Sequence, residues 1–268
     1  MSDPRPYRER FAGAALVTGA SSGIGREFSK ALAAKGMDVI LVARREAELV
    51  ELAEELRARH SVRASVIVAD LLENDAVDNI ADQVEQKSLH VGLLVNNAGI
   101  GQYGPFETLD RQQALDSIDL NCRVPVALTY AFLPQMLKRG RGGLIYVASI
   151  ASFQPTPYYA TYGASKAFDL MFAEALSAEL APKEIEVLAL CPGYTPTGFQ
   201  AVAGSHAAPK RKQASTSEEV VAAALSSLGE KISVVPGLKN KAVAWSVRLF
   251  PRRMITRLAQ YYSDPDRA

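Results

Sequence analysis

Short apolar runs alternate along the chain with longer amphipathic segments of helical length. The segment over residues 46–60, for example, is rich in Glu, Leu, Ala and Arg, which are the best helix formers. Apolar runs that alternate with helices in this way are typical of buried strands in a parallel sheet covered on both faces. The pattern predicts seven strands, over residues 14–17, 39–42, 66–68, 93–95, 144–147, 187–190 and 232–235.

Helices are predicted in the intervals between these strands. They cover residues 23–35, 46–60, 75–86, 109–138, 158–180 and 217–228. Because parallel strands are joined by right-handed crossovers, this order predicts an α/β, doubly wound (Rossmann) fold with helices on both faces of a seven-stranded sheet. No composition shift or flexible linker divides the chain, so residues 1–268 are predicted to form a single domain, with a substrate loop over 193–216 and a tail over 236–268.

Composition and charge narrow the class of protein. The chain has 268 residues, of which 48% are hydrophobic and 22% charged, as in an ordinary globular protein. Its net charge is +1, so no overall field favours nucleic acid as a partner.

Cys122 and Cys191 lie far apart in apolar stretches and no signal-peptide pattern is present, which predicts a cytoplasmic protein with reduced thiols. No apolar run has the length of a membrane span, and His60, His90 and His206 lack the spacing of metal ligands.

The tail combines apolar residues at helical spacing with a cluster of arginines. Pro251 is tolerated at the start of a helix but not deep inside one, so a helix is predicted to begin close to it. Such a segment can lie on a membrane surface, but we expect it to pack on the protein's own body or on a second subunit and to help close a pocket. The apolar positions are Phe250, Met254, Leu258 and Tyr261, and the arginines are Arg248, Arg252, Arg253 and Arg257.

A glycine-rich turn follows the first strand. Residues 18–25 are Thr-Gly-Ala-Ser-Ser-Gly-Ile-Gly, and a helix is predicted to begin there. Gly19 can adopt a turn that a side chain would forbid, while Gly23 and Gly25 allow close approach of a pyrophosphate and close helix packing. The N–H groups and the dipole of the helix would then hold the anion. The spacing differs from the general dinucleotide fingerprint, and an ordinary tight turn is the alternative.

The end of the second strand indicates which dinucleotide the turn serves. An acidic residue there would bind the ribose hydroxyls of NAD, whereas an arginine accommodates the 2′-phosphate of NADP. The strand ends in Ala43, Arg44 and Arg45 without a carboxylate in the expected place, and the planar guanidinium of Arg44 suits a phosphate. We therefore predict NADP(H) as the cofactor. The alternative is that Arg44 and Arg45 are solvated residues at the start of the next helix.

Tyr162 and Lys166 are spaced to carry acid–base chemistry. Residues four apart lie on one face of a helix, so the phenol would lie beside an ammonium group. A nearby positive charge favours the phenolate and lowers the pKa of the tyrosine, which suits a general acid or base. The alternative is a surface pair that shares a helical face by chance.

These motifs together resemble the short-chain dehydrogenase/reductase family, in its NADP-preferring subgroup of chains of about this length. The resemblance covers residues 14–198 and includes Asn-Asn-Ala-Gly at 96–99, Tyr-x-x-x-Lys at 162–166 and Pro-Gly at 192–193. It implies a catalytic tetrad of Asn121, Ser149, Tyr162 and Lys166. In such a tetrad Tyr162 is the proton donor, Ser149 binds the substrate oxygen, Lys166 tunes the tyrosine and holds the nicotinamide ribose, and Asn121 holds a water that links Lys166 to solvent.

The resemblance also implies where the dinucleotide binds. Asp70 matches the residue that contacts adenine in the family, and Thr197 matches the residue that usually touches the nicotinamide carboxamide. The full predicted set for the cofactor is Gly19, Ser21, Ser22, Gly23, Ile24, Gly25, Arg44, Asp70, Leu71, Asn97, Ala98, Gly99, Tyr162, Lys166, Pro192, Gly193, Thr195 and Thr197.

The predicted function is that of an NADP(H)-dependent oxidoreductase that interconverts a carbonyl and a secondary alcohol. Apolar residues near the motifs favour a small apolar substrate such as a 3-oxoacyl thioester or a steroid-like ketone, and the chain is expected to form a homodimer or homotetramer. A catalytically silent NADP-binding regulatory protein of the same fold is the alternative, and a nucleotide-sugar epimerase or dehydratase is disfavoured by the glycine spacing. The apolar residues are Ile100, Phe153, Tyr159, Tyr194, Phe199, Ala201, Val202 and Ala203.

Overall fold

The sheet is the frame on which the functional residues are mounted. The computed structural model describes residues 5–199, 203–204 and 215–264. Within these ranges the strands are β1 (Ala14–Thr18), β2 (Val39–Ala43), β3 (Ala64–Val68), β4 (Val91–Asn96), β5 (Gly142–Val147), β6 (Ile185–Leu190) and β7 (Ser233–Val234). They form one parallel sheet in the order β3-β2-β1-β4-β5-β6-β7, which confirms the predicted doubly wound fold. The strand order reverses between β1 and β4, and ligands of open parallel sheets bind beyond the carboxyl ends of the strands at such a point.

Helices connect the strands and cover both faces of the sheet. They are α1 (Tyr7–Phe11), α2 (Gly23–Ala34), α3 (Glu46–His60), α4 (Ala76–Gln86), α5 (Arg111–Ile118), α6 (Val124–Arg139), α7 (Ala160–Leu180), α8 (Ser217–Ser227), α9 (Leu238–Ser246) and α10 (Arg252–Ser263). The predicted start of α8 is confirmed by a capping box, in which the Thr216 hydroxyl accepts a hydrogen bond from the Glu219 N–H at 3.2 Å.

The helical region predicted over residues 109–138 is confirmed, but its α-helical geometry is interrupted in the middle. Two helices, α5 and α6, are joined by a π-helical turn at Asp119–Arg123. Pro125 lies in the first turn of α6 and has no N–H to donate to the carbonyl of Asn121, four residues earlier, so the regular hydrogen-bond ladder breaks there. Single π turns of this kind occur frequently at functional sites.

Two hydrophobic cores lie on opposite faces of the sheet. Alternate residues of each strand point to opposite faces, so Val17, Leu41 and Val95 enter one core while Leu16 and Leu94 enter the other. Each of these side chains is fully buried. The stacked helices therefore hold the carboxyl ends of the strands in fixed positions, which is where the glycine-rich turn and the catalytic candidates lie.

The tail differs from its prediction in one respect. Its helix α10 begins directly after Pro251, as predicted, but the stripe of Phe250, Met254, Leu258 and Tyr261 is exposed instead of packed on the protein. The buried residue of α10 is Ile255, on another side of the helix. The end of the helix is held by the Tyr103 hydroxyl, which donates to the carbonyl of Ser263 at 2.8 Å.

Parts of the predicted substrate loop, including Ala201, Val202 and His206, lie outside the described residues. Within the described ranges, no helix has both the length and the apolar character needed to cross a membrane. Cys122 and Cys191 are free thiols.

Candidate active site

A cavity of about 960 Å³ opens at the carboxyl ends of the strands. Its wall is formed by the segments that follow β1 to β6 and by the end of the tail. This is the position that the reversal in strand order predicts for a ligand. Most of the predicted site residues line this cavity, whereas Gly25 and Asn121 lie behind its wall.

The glycine-rich turn provides the backbone cradle that a pyrophosphate requires. Gly19 and Gly23 have φ angles of +67° and +53°, which residues with side chains rarely adopt. A Cβ on Gly23 would lie 2.9 Å from Cγ2 of Thr197, and a Cβ on Gly25 would overlap the carbonyl oxygen of Gly19. The turn therefore tolerates no side chains at these positions, and a dinucleotide pyrophosphate fits the space beside the N-terminus of α2.

Arg45 was not among the predicted site residues. It lines the cavity beside Arg44, and its Nε and Nη2 atoms donate to the hydroxyl of Ser21 at 3.2 and 2.9 Å. Arg44 lies 3.6 Å from a carboxylate oxygen of Asp70. Two guanidinium groups thus flank the end of the cavity where an adenosine ribose would lie. The signal in the sequence was present as the pair Arg44–Arg45, but only the first arginine was assigned to the site.

Asn97 connects β4 to the glycine-rich turn. Its side-chain amide donates to the carbonyl of Thr18 at 2.8 Å, and its backbone N–H donates to the Thr18 hydroxyl at 3.0 Å. These bonds fix the edge between β1 and β4, where Ala98 and Gly99 line the cavity. The remaining predicted cofactor residues of the lining are Ser22, Ile24, Leu71, Pro192, Gly193, Thr195 and Thr197.

Ser149 and Tyr162 both face the cavity from fixed local structures. Ser149 caps a short 3₁₀ turn, and its hydroxyl oxygen accepts a hydrogen bond from the Ala151 N–H at 3.1 Å. Since that bond uses a lone pair, the hydroxyl proton remains available to a ligand. The ring of Tyr162, in the first turn of α7, lies between Tyr159 and Phe199, with centroid distances of 6.1 and 5.1 Å.

Lys166 is fully enclosed and paired. Its ammonium donates to the carbonyl of Val147 at 2.8 Å and to a carboxylate oxygen of Asp169 at 2.9 Å. An ammonium has three donors, so one remains for the cavity that Lys166 lines. Burial lowers the pKa of Lys166, but the Asp169 carboxylate, with smaller contributions from Tyr162 and Cys122, offsets this effect, and the pKa lies above the ordinary value for lysine.

Asp169 is a second residue that the sequence analysis missed. It lies one helical turn after Lys166 on α7 and is buried, and its other carboxylate oxygen has no hydrogen-bond partner among the described residues. Burial raises the pKa of Asp169, although the ammonium of Lys166 opposes the shift. A buried carboxylate with only one hydrogen-bonded oxygen destabilises the folded protein unless its charge is compensated. Lys166 and Asp169 therefore stabilise each other.

As the pH is raised, the Asp169→Asn variant should lose activity at a lower pH than the wild type does. Asp169 holds the pKa of Lys166 above its ordinary value, so without this charge Lys166 loses its proton at lower pH. The alkaline limb of kcat/KM, measured across neutral and alkaline pH, should therefore move to lower pH. Asp82→Asn, which changes an exposed aspartate of α4, serves as the control. An alkaline limb that stays in place would show that Asp169 does not tune Lys166.

Asn121 does not reach the cavity. Its side chain is fully buried and ties the loop after β4 to α7, since its Oδ1 accepts from the Ile100 N–H at 3.0 Å and its Nδ2 donates to Ser165 Oγ at 2.9 Å. A second bond runs from Nδ2 to the Ile100 carbonyl at 2.8 Å. The side chain therefore positions Ile100 in the cavity wall, and a water held by Asn121 stays a prediction.

Aromatic side chains form the outer wall of the cavity. Tyr103 and Tyr159 lie 4.8 Å apart between ring centroids, and Tyr194 and Tyr261 also contribute. Phe153 was expected here but packs against the core beneath the sheet, and Ala203 is buried without lining the cavity. The end of the tail lines the cavity through Tyr261, Tyr262, Ser263 and Asp264, which confirms that the tail helps to close the pocket.

Comparison with known proteins identifies the family. The family model described as short chain dehydrogenase matches residues 13–208. A 7beta-hydroxysteroid dehydrogenase of Mediterraneibacter gnavus is 32% identical over 262 residues, which is 96% of this chain and 99% of that protein. The chain belongs to the short-chain dehydrogenase/reductase family. It is an oxidoreductase that acts on CH–OH groups and interconverts carbonyl and alcohol groups.

Two further matches differ in how much of each protein is aligned. A very-long-chain 3-oxoacyl-CoA reductase of Phaeosphaeria nodorum is 38% identical over 179 residues, or 65% of this chain, and the chain spans only 52% of that protein's length. The solved structure of a short-chain dehydrogenase of Sphingobium yanoikuyae in complex with NADPH is 29% identical with a TM-score of 0.78 and covers 88% of this chain and 93% of its own.

Proposed function

We propose that the protein is an NADP(H)-dependent reductase or dehydrogenase of bulky apolar ketones and alcohols, of the steroid-like or 3-oxoacyl type. The observation that carries this proposal is the composition of the cavity at the carboxyl ends of the strands. Tyr162, Lys166 and Ser149 line it beside a side-chain-free phosphate cradle at one end and a wall of tyrosines at the other. Aromatic faces of this kind favour a flat or extended apolar substrate over a charged one.

The reduction of a carbonyl gives a role to each of the catalytic candidates and to Asp169. When bound, the nicotinamide cofactor supplies or accepts the hydride. Tyr162 donates a proton to the carbonyl oxygen during reduction, and Ser149 donates a hydrogen bond to the same oxygen as negative charge develops on it. Lys166 lies four residues after Tyr162, on the same face of α7, and offers its remaining N–H to the cofactor ribose. Asp169 keeps Lys166 protonated and in place.

Arg44 and Arg45 support NADP(H) over NAD(H). We expect NADPH to bind at least about tenfold more tightly than NADH, which requires only about 1.4 kcal/mol and is within reach of one charge-assisted contact. The double variant Arg44→Gln/Arg45→Gln should lose this preference by weakening NADPH while leaving NADH nearly unchanged. Fluorescence titration of both cofactors measures it.

The control for this titration is Arg59→Gln, which removes an exposed arginine from the far end of the same helix, α3. It should leave both affinities unchanged. Equal binding of NADPH and NADH by the wild type, or a preference for NADH, would refute the assignment of the two arginines to the 2′-phosphate.

A substrate screen tests the apolar wall. NADPH oxidation is followed with a steroid ketone, a 3-oxoacyl-CoA and a polar sugar ketone of similar reactivity. Turnover of either apolar substrate at a much higher kcat/KM than the sugar supports the proposal. NADPH binding without turnover of any ketone would favour the alternative, a silent cofactor-binding protein of the same fold.

We further propose that the protein forms a homodimer or homotetramer. Neighbouring helices α5 and α7 expose Leu115, Ile118, Phe168 and Met171, more apolar surface than scattered single residues explain. Size-exclusion chromatography with light scattering measures the assembly, and a monomer at micromolar concentration would contradict this part of the proposal.

A further inference from the structure

The tail carries an exposed apolar surface that the active site does not use. In α10 the side chains of Met254, Leu258 and Tyr261 are 51%, 53% and 57% exposed, whereas Ile255 is buried. These three residues are spaced by four and three positions, so they form one stripe along the helix. A helix normally turns such a stripe toward the core, whereas here more than half of each side chain is exposed.

The segment before α10 exposes apolar side chains as well. Trp245 and Leu249 are 67% and 79% exposed, and Leu238, Val243 and Phe250 are exposed as well. We call the exposed apolar side chains of this segment the tail surface, which consists of Leu238, Val243, Trp245, Leu249, Phe250, Met254, Leu258, Tyr261 and Tyr262. Exposed apolar side chains in this number within one short segment indicate an interaction site.

The segment that carries the tail surface is cationic, and the first carboxylate after it is that of Asp264. Residues 236–263 contain six lysines and arginines and no aspartate or glutamate. In α10, Arg253 and Arg257 are four residues apart and precede Met254 and Leu258 by one position each, so they flank the apolar stripe. Together with Arg252 and Thr256 they line a shallow surface depression. An apolar stripe flanked by arginines fits a partner that is apolar inside and anionic at its surface.

We propose that the tail surface binds an anionic lipid bilayer from one side. Helix α10 would lie in the interface plane, with Met254 and Leu258 among the acyl chains and Arg253 and Arg257 at the lipid phosphates. A second copy of the chain is the poorer partner, because a symmetric contact brings two all-cationic patches together. The same helix lines the active-site cavity through Tyr261 and Tyr262, so the bilayer would lie beside the cavity.

The position of the tail surface beside the cavity suits the delivery of an apolar substrate from the bilayer, an inference that rests on the proposed function. An apolar ketone partitions into the bilayer, and a cavity opening beside the bound membrane would receive it there without transfer through water. Membrane binding itself is independent of that function, since a protein with no ketone reductase activity would still bind vesicles through these residues. Failure of the substrate screen and failure of vesicle binding are therefore separate results.

Co-sedimentation with vesicles tests the proposal. The full-length protein with bound NADPH is mixed with vesicles of phosphatidylcholine alone or of phosphatidylcholine with phosphatidylglycerol. We expect partitioning to the anionic vesicles to be at least about tenfold stronger, and to weaken as salt is raised. Absence of sedimentation with anionic vesicles, or equal binding to both types, would overturn the proposal.

Two variants separate the apolar and the cationic contributions. Leu249→Ser/Leu258→Ser and Arg253→Gln/Arg257→Gln should each reduce partitioning by at least about tenfold. NADPH affinity and thermal melting should stay at wild-type values, because all four side chains are on the outside of the protein.

Controls change exposed residues of similar character elsewhere on the protein. Tyr130→Ser removes an aromatic residue that is 78% exposed on α6, and Lys87→Gln/Lys138→Gln removes two exposed cations. Both should bind vesicles like the wild type. If the controls lose as much binding as the tail variants, or if Leu249→Ser/Leu258→Ser instead turns an oligomer into a monomer while vesicle binding persists, the tail surface is not a membrane surface.

Discussion

The Tyr162→Phe variant should lose turnover by at least about 100-fold while binding NADPH with nearly wild-type affinity. A positioned general acid typically contributes at least this factor, and the change removes one hydroxyl without disturbing the ring. The ring should stay in place because it packs against the rings of Tyr159 and Phe199. Steady-state kinetics with an apolar ketone and a fluorescence titration of NADPH measure the two quantities.

Tyr159→Phe is the matched control for this experiment. It makes the same chemical change in a neighbouring tyrosine of the same cavity, so it should change turnover by far less than the loss at Tyr162. More than about a tenth of wild-type activity in Tyr162→Phe would show that another group supplies the proton, since a general acid is worth more than that.

The Lys166→Ala variant should damage turnover, NADPH affinity and stability together. It removes the charge beside Tyr162 and the donor offered to the cofactor, and it leaves the buried carboxylate of Asp169 without a partner. Breaking a buried ion pair by removing one member typically costs about 3–5 kcal/mol. Melting curves, titration of NADPH and kcat should all move.

The double variant Lys166→Met/Asp169→Asn separates these effects. It removes both charges, so much of the lost stability should return, while turnover stays low because Tyr162 has no cation beside it. If the double variant recovers activity along with stability, Lys166 has only a structural role. If it recovers neither, the ion pair does not explain the instability of Lys166→Ala.

The parallel sheet was predictable because its signal is local. Runs such as Leu41–Val42 and Leu94–Val95 are buried on both faces, so every position is apolar and the strands stand out in the sequence. The glycine-rich turn was likewise visible, because backbone conformation and close packing at Gly19 and Gly25 exclude other residues.

Other features depend on tertiary contacts that no local pattern reports. Asp169 has the appearance of a polar residue on an amphipathic helix, and only the packing of α7 against β5 shows that it is buried against Lys166. The π turn around Asn121 has a local cause instead, the missing N–H of Pro125, which the apolar spacing of this region does not display.

The covering of the tail was predicted only in part. Apolar spacing in α10 correctly indicated an amphipathic helix, but the chain's own body leaves its stripe exposed, and packing on a second subunit stays a prediction. The spacing of apolar residues defines a face but does not name what covers it. In this tail the inner face is set by Ile255 and by the contact between Tyr103 and Ser263.

Transfer of deuterium from labelled cofactor tests the proposed reaction most directly. The protein is incubated with NADPH that carries two deuterium atoms at C4 of the nicotinamide and with an apolar ketone, and the product is examined by mass spectrometry. We predict an alcohol with a single deuterium on its carbinol carbon, formed by the wild type and not by Tyr162→Phe. Tight binding of NADPH with no labelled alcohol from any apolar ketone would contradict the proposed activity.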